Sequence, residues 1–218
     1  MFASLDCQIE TIVSPPFQEN TFILSLPDRS DCLIVDPGFL GEPIFHYLQE
    51  KNLTPAAILN THGHADHIAG NDQLKQAFPD CPLIIGEIDA PMLTDPGLNL
   101  SAMFGFELLS PPADRTLKDG DTLNLAGFHL KVDLVPGHSP GHVTFYWQEG
   151  KNRLLINGDV LFFEGIGRSD FPGGSETQLK SGIRERLYKL PDDTIVLTGH
   201  GEPTTIGHEK ENNPFVRP

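Results

Sequence analysis

The stretch NTHGHADHIAG, Asn60 to Gly70, follows the apolar run Ala56–Leu59 and puts His62, His64, Asp66 and His67 into one short loop. That juxtaposition constrains the fold more than any other feature of the chain. A buried strand has to end at an edge where imidazoles and a carboxylate meet a common point. Imidazole and carboxylate are ligands suited to zinc, and side chains two apart in an extended loop point the same way. His62 and His64 therefore form a natural chelate. Asp66 and His67 fall at the start of the next helix, where the backbone changes direction, so they can face a second ion beside the first. A turn or capping role explains any one of these residues, but not their density.

Such a site needs more ligands, and three further motifs offer them. PGHSPGH carries His138 and His142, LLINGD ends in Asp159, and VLTGHG carries His200. Each follows an apolar run, and loops at strand ends along one sheet edge are where sites assemble. A single histidine beside glycine is more often a turn residue, so the motifs carry weight only together. Spacing does not choose between His138 and His142.

The rest of the chain is read around these motifs. QIETIV, NTFILSL and DCLIVD form a strand meander, and EPIFHYLQEKN a short helix opened by Pro43. AAILN is a buried strand, DHIAGNDQLKQAF one helix stopped by Pro79, and CPLIIGE another strand. Pro91 to Asp119 is rich in Pro, Gly and Asp and reads as a long excursion or lid without regular structure. TLNLAG and FHLKVDLV form a hairpin in which His129 faces solvent, and HVTFYW and RLLING are two more strands. SETQLKSGIRERLYKL is an amphipathic helix opening at Ser175, and TIVLTG the last strand. His46 and His208 read as solvated helix or tail positions. Two halves, each of strands followed by helices, suggest two sheets covered by helices.

Composition excludes several classes. The net charge of -15 repels phosphate backbones and no Lys/Arg cluster offsets it, so nucleic acid is not an expected partner. No apolar run approaches the ~20 residues of a membrane span. The stretch MFASLDCQIE lacks a basic segment and is interrupted by Asp6 and Glu10, so it does not read as a signal peptide. Cys7, Cys32 and Cys81 are far apart with no C-x-x-C pair, which points to small apolar packing residues rather than disulfides or a cysteine zinc site. A cytoplasmic location follows as an expectation.

Taken in order, VDPG, THGHADH, PGHSPGH, NGD and TGHG, spread over Asp36 to Gly201, resemble the metallo-β-lactamase superfamily. The resemblance implies an α/β fold, a four-layer αββα sandwich, here as a single domain over residues 1–218. It implies two divalent ions, zinc first, with iron or manganese as alternatives. His62, His64 and His138 would hold one ion, Asp66, His67 and His200 the other, and Asp159 would bridge them. His138, rather than His142, matches the family's ligand position. His142 then becomes a supporting or turn residue, and Asp36 matches an early acidic position that orders the ligand loop.

Within that superfamily the Asp66–His67 pair looks like the hydrolase branches rather than true β-lactamases, which usually lack this histidine. GDVLFFEGIGRSDFPGG resembles the glyoxalase II group and its relatives, the persulfide dioxygenases. The implied reaction is metal-dependent hydrolysis of an S-acylglutathione-type thioester by a metal-bridging hydroxide, with Asp66 orienting the nucleophile. An iron-dependent persulfide dioxygenase is the alternative, and a lactonase or a non-catalytic metal-binding module stands further off. Arg168 matches a basic position associated with glutathione binding, although it could equally pair with Asp170. The sequence ends at Pro218, which leaves no room for the C-terminal helical domain of full-length glyoxalase II. Two ions against two carboxylates and a hydroxide leave about one net positive charge, which favours a small anionic substrate. Oligomeric state is not legible.

Overall fold

The computed structural model describes residues 5–218. The first four residues of the N-terminal stretch lie outside it. Strands β1 (Gln8–Ser14), β2 (Glu19–Ser25) and β3 (Asp31–Val35) form the expected antiparallel meander. Helix α1 (Gly41–Lys51) then crosses over to β4 (Thr54–Asn60), which runs parallel to β3. Helices α2 (Ala65–Ile68) and α3 (Asn71–Ala77) lead to β5 (Leu83–Gly86), and β6 (Arg115–Leu117) completes a six-stranded sheet in sequential order.

The second half repeats the logic. Strands β7 (Thr122–Leu125), β8 (Phe128–Leu134), β9 (Val143–Glu149) and β10 (Asn152–Gly158) are an antiparallel meander. Ala126 and Gly127 make the β7–β8 turn, both at positive φ (48° and 81°), as a two-residue hairpin whose twist matches its strands requires. A small hairpin, β11 (Leu161–Phe162) and β12 (Gly165–Ile166), precedes α4 (Glu176–Glu185). Ser175 caps α4 by accepting from the Gln178 amide at 3.4 Å. β13 (Ile195–Thr198) then pairs parallel to β10, followed by β14 (Thr204–Thr205) and α5 (Ile206–Asn212). The sheet order is β14-β13-β10-β9-β8-β7.

Strand periodicity sorts the core into three layers of packing. Phe22, Leu24, Leu33, Val35 and Leu59 face Phe128, Phe145, Trp147, Leu154 and Ile156 across the gap between the sheets. Their neighbours Ile23, Ile34 and Ile58 point the other way, onto Ile44 and Leu48 of α1, Ile68 of α2 and Leu74 of α3. Leu155 and Val196 likewise meet Leu179 and Ile183 of α4 and Ile206 of α5. Strands buried on both faces explain why the runs are continuously apolar rather than alternating. The result is the αββα sandwich. Each fully buried large side chain contributes roughly 1.5–3 kcal/mol.

Two local expectations are corrected. DHIAGNDQLKQAF is two helices, because the Gly70 amide donates to the Pro37 carbonyl at 2.7 Å and a side chain at Gly70 would collide with the backbone of Gly38. The 91–119 excursion is not devoid of regular structure: it holds β6 and 3-10 turns at Ala90–Thr94 and Ser101–Phe104. Asn99 knits it together, donating to the carbonyls of Met92 and Leu108, while its own carbonyl takes the Ala65 amide at 2.9 Å. The C-terminal segment forms β14 and α5, so His208 is the partly exposed helix position expected, its ring stacked on Phe163 with centroids 4.9 Å apart. Among the described residues no helix is long and apolar enough to cross a membrane.

Candidate metal centre

The parallel pairs β3–β4 and β10–β13 end at the same edge of the sandwich, and that edge collects the motifs. His62, His64 and His138 have ligand atoms all within 4.8 Å of one another, as do Asp66, His67 and His200. Asp159 lies between the two trios. One oxygen is 3.4 Å from His138 Nε2 and 3.5 Å from His200 Nε2, and the other is 3.5 Å from His67 Nε2. All seven residues singled out in the sequence as metal ligands therefore meet at one point. Gly199 has to be glycine here, since a Cβ would run into Asp159 and His67.

Four of the histidines are held from behind. His67 Nδ1 donates to Asp36 at 3.1 Å, and Asp36 also accepts from the Thr61 amide and hydroxyl, both at 2.7 Å. His62 Nδ1 lies 3.1 Å from that hydroxyl, His138 Nδ1 2.7 Å from the Arg168 carbonyl, and His200 Nδ1 3.1 Å from the Phe17 carbonyl. Because each partner accepts, each Nδ1 carries a proton and each Nε2 is the ring atom left facing inward. His62 Nε2, His67 Nε2 and Asp159 Oδ1 are buried with no hydrogen-bond partner. Orphaned buried polar atoms cost about 1–3 kcal/mol each, so a set that converges on one spot fits a cation.

The electrostatics point the same way. Burial, followed by repulsion from neighbouring histidines, pushes the His62 and His142 imidazoles well below the usual range. Burial and His138 take His64 down to about 3. Burial also opposes charge on His67 and His200, but Asp159 and Asp66 outweigh it, raising His67 strongly and His200 to about 10. Asp159 is held well below the carboxylate range despite its burial, by His67 and His200. Carboxylates that draw protons onto two histidines will equally draw a metal cation that displaces those protons.

His142 is not among the converging ligand atoms. Its ring stacks on His62 with centroids 4.8 Å apart, and its Nε2 accepts the Asp159 amide at 3.0 Å, so it supports both. Two supports were not legible in the sequence. Asp89, buried just past β5, accepts from the Gly141 amide (2.6 Å), the Ser139 hydroxyl (2.5 Å) and the Gly63 amide (3.3 Å). One carboxylate thus ties the His62–His64 loop to the His138–His142 loop. Asn20 donates to the carbonyls of Thr198 and Gly201, both at 2.9 Å, clamping the His200 loop to the first sheet. The signal for each was only a polar residue next to an apolar strand, which occurs throughout the chain.

The centre forms the floor of a cleft of about 310 Å³, lined also by Phe17, Leu100, Phe104, Phe162, Arg168 and Phe171. Arg168 is at the rim. It pairs with Asp170 and its guanidinium lies 4.2 Å from the centroid of the Phe171 ring.

Residues 14–200 match the family model described as the metallo-beta-lactamase superfamily. The chain is 43% identical over 202 residues to the probable metallo-hydrolase YqgX of Bacillus subtilis, covering 92% of this chain and 93% of that one. It is 39% identical to the hydroxyacylglutathione hydrolase GloC of Haemophilus influenzae, covering 95% and 97% respectively. The crystal structure of the BLEG-1 B3 metallo-beta-lactamase superposes with a TM-score of 0.91 at 38% identity, covering 96% of this chain and 99% of that one. With the ligand-rich edge and the αββα sandwich, these matches make the chain a member of the metallo-β-lactamase superfamily.

Proposed function

We propose that this protein is a cytoplasmic thioesterase with two zinc ions, hydrolysing S-acyl thioesters of the glutathione type. The observation that carries the reading is the pair of ligand trios sharing Asp159 at the floor of one cleft. The similarity to GloC over nearly its whole length supports the substrate class. In this reading His62, His64 and His138 would hold one ion and Asp66, His67 and His200 the other, with Asp159 available to both. Such ions would lower the pKa of water from ~15.7 toward ~7 and polarise a carbonyl.

The chain's own residues do the rest. Asp66, partly exposed to the cleft and 3.3 Å from His200 Nε2, orients the attacking water. Asp36, Thr61 and the carbonyls of Arg168 and Phe17 keep the imidazoles from turning. Arg168 sits where it can meet a carboxylate of the thiol portion. Water adds to the acyl carbon and the C–S bond breaks, giving a carboxylate, a thiol and one proton that passes to solvent. A thiol pKa near ~8.5 lets the thiolate leave without a dedicated acid, which an amide nitrogen would require.

The test is thiol release from S-lactoylglutathione by zinc-loaded protein, with a chromogenic β-lactam assayed in parallel. Turnover of the thioester, abolished in His62→Ala and Asp159→Ala, is the expected result. Thioester turnover no greater than in those variants, or turnover of the β-lactam alone, overturns the reading.

A further inference from the structure

The two flanks of the cleft differ chemically. Phe171 lies against His64 and His138, at 5.6 and 6.3 Å between centroids, and carries the Arg168 guanidinium on its face. This is the charged flank. On the His200 side Phe162 lies 6.3 Å from the imidazole, and the Phe17 carbonyl holds it. Phe104 packs edge-on against Phe17 at 5.3 Å, and Leu100 closes that wall. Among the described residues that line the cleft, these four apolar groups gather on the His200 side, away from Arg168, and Phe104 is 51% exposed. Large apolar groups left open around a polar floor are characteristic of a ligand subsite.

We infer that the wall of Phe17, Leu100, Phe104 and Phe162 is an acyl-group subsite, and that the preferred substrates are thioesters with apolar acyl groups, medium-chain or aromatic, rather than small hydroxyacyl groups. The inference rests on the thioesterase reading. A thioester whose carbonyl lies over Asp159 has its two substituents on opposite sides. The carboxylate-bearing thiol goes toward Arg168, the one arginine or lysine among the described residues that line the cleft, which leaves the acyl group on the phenylalanine wall. A hydroxyl placed there would lose its water without gaining a partner, whereas each methylene gains by burial.

The experiment holds the thiol constant. For S-lactoyl-, S-acetyl-, S-butyryl-, S-hexanoyl- and S-phenylacetylglutathione, kcat/KM is divided by the rate of alkaline hydrolysis of the same compound. The normalised value should rise by ~2–4-fold per methylene from acetyl to hexanoyl, with lactoyl below butyryl. Phe104→Ala should cut the hexanoyl-to-acetyl ratio at least ~3-fold, while Met103→Ala, which does not line the cleft, leaves that ratio alone. Calorimetry with two unhydrolysable ketones, S-(2-oxoheptyl)- and S-(2-oxopropyl)glutathione, should show the same preference in Kd and its loss in Phe104→Ala. Hydrolysis with a flat or falling series, or a ratio insensitive to Phe104→Ala, overturns the apolar subsite and leaves the thioesterase reading standing. If no thioester is hydrolysed the thioesterase reading fails, and equal affinity for the two ketones then overturns the subsite as well.

Discussion

Nδ1 of His138 donates to the backbone carbonyl of Arg168 at 2.7 Å, so one residue both orients a candidate ligand and carries the cation at the rim of the cleft. The two roles use different atoms and are separable by mutation. Arg168→Ala keeps the carbonyl and removes the guanidinium. For glutathione thioesters it should raise KM by about 3–10-fold, consistent with loss of one exposed charge pair, and leave metal content unchanged. Steady-state kinetics with metal analysis reads both. A fall in kcat with unchanged KM would place Arg168 at the reacting atoms instead.

Asp36 acts on the centre only through His67 and Thr61. Asp36→Asn can still contact Thr61 but no longer offers His67 Nδ1 a carboxylate. Metal affinity should fall by about 10–100-fold, measured by competition with a chromogenic chelator. Affinity equal to that of the unmutated protein would show that the His67 tautomer is held by packing alone.

Asp89 ties two histidine loops together through three accepted hydrogen bonds, and burial raises its carboxyl pKa despite them. Asp89→Ala should leave the Gly63 and Gly141 amides buried and unpaired, lowering stability by about 3 kcal/mol in urea unfolding. Metal affinity should fall with it, because His64 and His138 are then positioned independently.

The metal-free protein should be most stable near pH ~6.5, the ordinary histidine pKa. His62, His64, His138 and His142 have lowered values, about 3 for His64. Their contribution is complete above ~6.5 and is lost as the pH falls toward the folded values. His67 and His200 are raised, His200 to about 10, so their contribution is complete below ~6.5 and is lost as the pH rises. Each group gives a slope of ~1.4 kcal/mol per pH unit within its window. Urea midpoints against pH should therefore fall on both sides, and zinc should flatten the alkaline limb by taking the place of the His67 and His200 protons. A midpoint that climbs steadily from pH 7 to 10 without metal would contradict this balance.

Native metal content separates hydrolysis from the persulfide dioxygenase alternative, which the ligand motifs alone leave open. Purification without added metal should yield zinc, and glutathione persulfide should cause no oxygen uptake. One iron per chain with oxygen consumption would replace the hydrolase reading.

Much of this was legible in the sequence because it is local. Continuous apolar runs in both halves foretold sheets buried on two faces, and a histidine or aspartate at the end of each run foretold a common edge. The single helix expected over Asp66–Phe78 broke because Gly70 is held by Pro37, a contact from a distant loop that no local periodicity encodes. The 91–119 segment read as irregular because the partners of β6 and Asn99 lie elsewhere in the chain.

By itself the sequence determined the strand-and-helix halves and the inventory of imidazoles and carboxylates, since both follow from residue type and short-range order. Tertiary structure alone decided that the His142 ring accepts the Asp159 amide from behind, that Asp89 joins two loops, and that Arg168 lies over Phe171. Those outcomes depend on which side chains meet across the two sheets and on which nitrogen of each ring is already occupied. Such pairings join residues as much as 183 positions apart, as Phe17 and His200 do.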